Sequence, residues 1–356
     1  MERAKLIGKA QTVLGPIDGN KLGFTLPHEH LFIDTMSWFV EPKDREDKEM
    51  ARQPVSMKNL SWVRSHKTSN LDNLHLDDEK TAINEALRFQ KAGGNTIVDV
   101  TPNNIARNPQ RLVNVAKAVG INVIMSTAYY IEASFTPEMY MEKKKPESIA
   151  QEFIRDIVQG ADSSDICAGL IGEVGCSWPV TKNEKKVLQG AAMAQQETGA
   201  VISVHFQGGA EDAPFKIVKM LTDAGADSSR IILCHMSCEL PTTARKARAR
   251  LADMGCYLEW DLFGTDGIYP LEVTPYQGKN DSIRITEIMQ LIEDGFVNNI
   301  LISHDTCFKI QLSAYGGMGY THIPKTVIPL MLKRGMTEEQ IRTITVENPR
   351  RAFCFV

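Results

Sequence analysis

From residue 78 to residue 303, short apolar runs rich in β-branched residues alternate with amphipathic stretches of helical period, and this limits the chain to very few folds. Asn95–Val100, Asn122–Thr127, Ala168–Gly172, Val201–Val204, Ile231–Cys234, Cys256–Trp260 and Ile300–Ser303 read as buried strands. Between and before them, Asp78–Ala92, Pro109–Val119, Pro146–Gln159, Thr181–Thr198, Ala213–Ala224, Pro241–Met254 and Ser282–Asp294 read as helices, the first stopped by Gly93-Gly94. The apolar run that ends at His28 adds one more strand, making eight. Strands separated by helices pair in parallel through right-handed crossovers, and eight of them close on themselves. The pattern predicts an α/β chain folded as a (β/α)8 TIM barrel, one domain over residues 1–356.

Three additions are expected around that barrel. Lys5–Leu14 and Lys21–Leu26 flank the turn-rich stretch 15–20, which suggests a short N-terminal hairpin leading into the first strand. The polar, mixed segment Trp38–Asp78 is an insertion after that strand, a lid over the mouth or a dimer support. Helices over about Ile323–Arg334 and Thr337–Thr345 pack on the outside. A doubly wound open sheet is the competing fold, but it places a glycine-rich phosphate turn after its first strand. Here a histidine pair stands in that position.

In an extended strand alternate side chains share a face, so His28 and His30 reach one point while Glu29 looks away. Active sites of such barrels lie at the carboxyl ends of the strands. Glu173 follows the fourth strand, His205 the fifth, His235 the sixth and Asp305 the eighth. Any one histidine at a strand end is ordinarily a core or surface residue, but four at one mouth with two carboxylates form a ligand set. Nitrogen and oxygen donors without thiolate suit Zn2+, and also admit Mn2+, Co2+ or Ni2+. Six donors exceed what one tetrahedral ion uses, so two divalent ions are expected, His28, His30 and Asp305 on one, His205 and His235 on the other, with Glu173 between them. Such a pair lowers the pKa of a shared water and polarises a substrate oxygen, and Asp305 is placed to carry the proton from that water to the leaving group. The chemistry implied is hydrolysis. His304 is expected to turn away from this point, toward a supporting or a packing role, while His66 and His75 read as surface residues.

Lys+Arg 40 against Asp+Glu 44 gives a net charge of -4, which favours neither nucleic acid nor an anionic membrane. No apolar run is long enough to span a bilayer and no apolar signal core opens the chain, so a cytosolic location is expected. Seven cysteines without regular spacing read as reduced thiols.

The stretches Gly8–Gly15, Thr25–Leu31, Ile171–Pro179, Tyr257–Gly264 and Tyr315–Tyr320 resemble the phosphotriesterase-related proteins of the amidohydrolase superfamily, and the likeness covers essentially the whole chain. The resemblance implies a distorted (β/α)8 barrel with a dinuclear zinc centre on the six residues already chosen. Two departures stand out. The bacterial phosphotriesterases bridge their metals with a carboxylated lysine, whereas residues 166–175 contain none, leaving Glu173 to supply the carboxylate. Many relatives also carry an aspartate two residues beyond the sixth-strand histidine, where this chain reads His235-Met236-Ser237. The animal branch of the family is associated with hydrolysis of N-acetyltaurine to taurine and acetate, which implies a small anionic N-acyl substrate.

For such a substrate Arg107, after the second strand, offers a fork of donors to an oxyanion, although it reads equally as a surface arginine. Tyr129 and Tyr130 after the third strand, Trp260 and Asp261 after the seventh, and His322 on the glycine-rich 316–322 loop are further candidates to line the mouth. The reading that follows is a zinc amidase of small N-acyl compounds, possible as a homodimer. A metal-dependent lactonase, esterase or phosphotriesterase on the same residues is the alternative, and a non-catalytic metal-binding scaffold a third.

Overall fold

The computed structural model describes residues 3–207, 211–265 and 279–356. Eight parallel strands follow one another around a barrel in chain order: β1 (Thr25–Glu29), β2 (Thr96–Asp99), β3 (Asn122–Thr127), β4 (Leu170–Cys176), β5 (Ile202–Phe206), β6 (Ile231–Leu233), β7 (Tyr257–Trp260) and β8 (Ile300–Ile302). The first and last strands meet through His28, whose backbone N–H donates to Ser303 Oγ at 3.1 Å and whose carbonyl accepts from Asp305 N–H at 3.2 Å. Closure thus joins two of the expected ligands through the main chain.

The helices lie where the periodicity places them, within a residue or two, with two exceptions. The last, expected over Thr337–Thr345, runs on through Phe353. The stretch expected as a helix from Pro241 forms only over Arg245–Asp253, preceded by a single turn at Met236–Glu239. Capping explains several starts. Asn108 accepts from Arg111 N–H, Thr181 from Glu184 N–H, and Asn280 from Ile283 N–H. Gly120 and Gly199 end two of these helices in the left-handed conformation that glycine adopts without penalty.

The N-terminal hairpin pairs Lys9–Thr12 with Gly15–Asp18. The expected turn was therefore too late: residues 15–18 form the second strand, and the chain reverses at Val13-Leu14. The hairpin seals the amino-terminal end of the barrel. Ala10 packs with Val98, Ile124, Leu170 and Ile232, while Gln11 Nε2 donates to the carbonyls of Ile157 and Ala168 at 2.7 and 2.8 Å. Residues 38–78 are not a bare loop. They carry helices Arg45–Ala51 and Leu60–Ser65 and a two-residue strand at His75–Leu76 that pairs with Ile33–Asp34. Val55, Leu60, Val63 and Leu74 form a small core of their own with Phe308 and Ile310, fastening the insertion to the loop beyond β8.

β4 passes close to the loop after β3. A Cβ on Gly175 would lie 2.2 Å from Ile131 N and 2.3 Å from Tyr130 C. Only glycine permits that approach, which sets the position of Tyr130 at the mouth. Gly175→Ala is expected to lower stability by about 1–3 kcal/mol, read from urea unfolding, because backbone on both sides has no room to yield; an unchanged midpoint would show that the two segments move apart freely.

Candidate metal centre

β4 and β5 run further than their apolar runs suggest, so Glu173 and His205 stand within strands. Glu173 projects from the middle of β4 and His205 from the last turn of β5's pleat. His28 belongs to β1, His30 lies one residue beyond it, His235 two residues beyond β6 and Asp305 three residues beyond β8. His235 and Asp305 both adopt left-handed backbone, with φ 59° and 50°. That conformation is uncommon outside glycine but tolerated by His and Asp, and here it turns both side chains inward.

The six side chains converge. His28 Nε2 is 2.8 Å from Glu173 Oε2 and 3.7 Å from Asp305 Oδ1, and His30 Nε2 is 3.3 Å from the same Asp305 oxygen. On the other side His205 Nδ1 lies 3.0 Å from Glu173 Oε1 and 2.8 Å from His235 Nε2. Glu173 therefore faces the β1 histidine with one oxygen and the β5 histidine with the other. All of these groups are buried except Asp305, whose side chain is 13 % exposed. Two facts show that the set suits a cation. His28 Nε2 and Glu173 Oε2 make no hydrogen bond although both are buried and near each other. Ligand atoms of His28, His30 and Asp305, and again of His28, Glu173 and His235, lie within 4.8 Å of one another. Imidazole and carboxylate donors at such spacing match divalent-ion coordination.

Electrostatics follow from the crowding. Burial alone raises the Glu173 pKa, but His205 and His28 outweigh it and hold the carboxyl well below its ordinary range. Burial lowers the His205 pKa despite Glu173, keeping that ring neutral and able to bind a cation. For His235 burial is outweighed by Asp261, whose carboxylate pushes it up to about 9.

A buried shell of acids fixes the ring orientations. Glu259 Oε2 meets His28 Nδ1 at 2.9 Å, and Asp261 takes His235 N–H at 2.8 Å and His235 Nδ1 at 3.1 Å. Thr101 Oγ1 lies 2.9 Å from His30 Nδ1. Glu29 looks away from the centre, as alternation requires, yet it ties down the segment that carries Asp305. It accepts from Ser303 Oγ, from His304 N–H and Nδ1, and from Thr306 N–H, at 2.6 to 3.1 Å. His304 Nε2 accepts from Ile323 N–H, which leaves the proton on Nδ1 for Glu29. Sequence reasoning missed Glu29 and Glu259 as supports.

A cavity opens over His30, Glu173, His205, His235 and Asp305, walled by Ile33, Trp38, Ile105, Tyr130, Leu262 and Phe308. The insertion reaches it through Trp38 and Thr68. Trp38 Nε1 donates to Tyr130 Oη at 3.2 Å, and burial, with Glu173 and Asp305 nearby, pushes the Tyr130 hydroxyl well above its ordinary pKa. It stays a donor.

The other substrate-binding expectations need correcting. Arg107 is buried in the barrel wall, where Asp156, Asp162 and the Ser126 carbonyl take its guanidinium at 2.7 to 3.1 Å. Tyr129 turns outward to Glu152 and Lys144. Trp260 points into the helical layer, donating to Glu287 at 3.0 Å. Asp261 lies beneath His235 and does not line the cavity. His322 is held by Asp281 at 2.6 Å, also off the cavity wall. Of that group only Tyr130 faces the mouth. Because a buried acid behind an imidazole ligand typically tunes affinity, Asp261→Asn is expected to weaken divalent-metal binding by about 10–100-fold in competition with a chelator; unchanged affinity would mean His235 needs no such partner.

Known proteins place the chain. The phosphotriesterase family model matches residues 8–353. A phosphotriesterase-related protein of Nematostella vectensis is 40% identical over 352 residues, covering 98% of this chain and 99% of the relative. An N-acetyltaurine hydrolase of Salmo salar is 39% identical over 354 residues, with coverage of 98% and 99%. Among solved structures, a resiniferatoxin-binding protein from Rhodobacter sphaeroides superposes with a TM-score of 0.93 at 35% identity, over 97% of this chain and 95% of that one. With a family model spanning nearly its whole length and full-length relatives near 40% identity, the chain belongs to the phosphotriesterase family, whose members are divalent-metal-dependent hydrolases.

Proposed function

We propose that this chain is a dinuclear zinc amidase that cleaves small N-acyl compounds, with N-acetyltaurine as the substrate suggested by its relatives' names. The observation that carries the dinuclear reading is the position of Glu173, whose two oxygens face separate histidine groups at 2.8 and 3.0 Å. His28, His30 and Asp305 would hold one ion and His205 and His235 the other. When bound, such ions acidify a water and polarise the substrate carbonyl.

The chain's own residues do the rest. Asp305 is the acidic ligand most open to the cavity, and its carboxylate takes the proton from the attacking water as the new C–O bond forms. When the C–N bond breaks, the same carboxyl delivers that proton to the departing amine nitrogen. The Tyr130 hydroxyl, kept protonated, is a donor for the oxygen that gains charge as the carbonyl carbon becomes tetrahedral. Glu29 holds the Asp305 segment so that the carboxylate does not swing away.

Asp305→Asn is expected to lower kcat on an N-acetyl amide by about 10²–10⁴-fold, the usual worth of a positioned acid–base group, with folding intact by circular dichroism. Near-normal turnover would remove Asp305 from the mechanism. Glu173→Gln should abolish activity and weaken metal binding together. To separate amidase from lactonase, esterase or phosphotriesterase, N-acetyltaurine, a lactone and an aryl phosphotriester are assayed side by side. The amide is expected to be turned over; hydrolysis of the lactone or phosphotriester alone would select the alternative.

A further inference from the structure

Two features of the cavity are not used by the mechanism above. The first is Gln207. It stands two residues beyond His205 on extended chain, so the two side chains share a face, and its N–H is fixed to the Cys176 carbonyl at 3.2 Å. Its side-chain Oε1 is shielded from solvent and has no hydrogen-bond partner among the described residues. A buried acceptor left unpaired is costly, and here it lines the space where substrate sits. The group that satisfies it must be a donor, and an amide offers one in its N–H where an ester or lactone offers none.

The second feature is the absence of a basic side chain along the cavity wall. Among the described residues, no lysine or arginine lines the cavity. Residues 208–210 and 266–278 contain no Lys, Arg or His in sequence. The basic residues elsewhere around the mouth are engaged: Arg107 with Asp156 and Asp162, Lys309 with Asp72, and Lys279 and Arg248 with Glu287. Lys67, beside the cavity-lining Thr68, faces a separate cleft with Arg64 and Gln311. Moving a sulfonate from water onto Ile33, Ile105, Leu262 and Phe308, away from the metal ligands and with no basic side chain beside it, costs free energy, whereas an uncharged group of the same shape gains by burial there.

We infer that the site is built for a secondary amide with an uncharged, apolar substituent, its N–H donated to Gln207 Oε1. This rests on the amidase reading and narrows its substrate class: N-acetyltaurine enters the same site, at a disadvantage. Gln207 is a positioning residue, acting on the amide before the C–N bond breaks and taking no proton.

Three compounds of matched shape test it on the metal-loaded full chain. They are N-acetyltaurine, N-(3,3-dimethylbutyl)acetamide, in which a tert-butyl group replaces the sulfonate, and 3,3-dimethylbutyl acetate, which lacks the N–H. The neutral amide is expected to show the higher kcat/KM of the two amides. Gln207→Leu, with metal content verified, should lower kcat/KM about tenfold more for the neutral amide than for the ester, as expected when a buried hydrogen bond to the substrate is lost. N-acetyltaurine turned over as well as or better than the neutral amide overturns the inference while the amidase reading stands. Equal losses on amide and ester reduce Gln207 to a structural part. Cleavage of the ester with neither amide touched sinks the amidase reading itself, and the inference with it.

Discussion

Two carboxylates and four imidazoles are packed within a few ångströms of each other at the carboxyl end of the barrel, and all but Asp305 are buried from water. Buried charge is tolerated only when paired or coordinated. The arrangement leaves His28 Nε2 and Glu173 Oε2 without hydrogen bonds, and a cation held inside the cluster would satisfy both. Much else in the fold serves to keep these groups from relaxing apart. Barrel closure runs through the backbone of His28, and two members of the set, His235 and Asp305, adopt left-handed backbone.

Behind the converging residues lies a continuous layer of buried acids. Glu259 and Asp261 act on His28 and His235, Asp99 holds the Leu31 and Thr101 N–H groups, and Glu29 gathers the chain around Asp305. Although burial alone raises the Glu29 pKa, His304 and the surrounding donors keep it below its ordinary value, so it remains an acceptor. The layer links ligand orientation to strand register. Part of the cavity's outer wall, Trp38, Thr68 and Phe308, comes from a different source, the 38–78 insertion and the loop beyond β8, which share a small apolar core. Substrate selection can therefore change there while the centre beneath stays fixed.

The barrel was legible because helix and strand periods differ and alternate cleanly, and the six converging residues because each interrupts or follows an apolar run. The lining of the mouth was harder to read. Tyr129 and Tyr130 are neighbours, as are Trp260 and Asp261, and in extended chain neighbours face opposite ways. That rule was available and points to Tyr130 in, Tyr129 out, and Glu259 sharing a face with Asp261 while Trp260 enters the helical layer. Arg107 was beyond reach, since its partners Asp156 and Asp162 lie about 50 residues away and nothing local marks them. The hairpin was misplaced because Gly15-Pro16 suggests a turn, whereas β pairing takes these residues and leaves Val13-Leu14 to reverse the chain.

Anomalous diffraction from crystals of the protein loaded with Zn2+, recorded on both sides of the zinc edge, bears most directly on the cluster. Two peaks at full occupancy are expected, one among His28, His30 and Asp305 and one beside His205 and His235, each in contact with Glu173. A single peak under saturating metal, or Glu173 bound to neither ion, would contradict the reading of these six residues as one shared cradle.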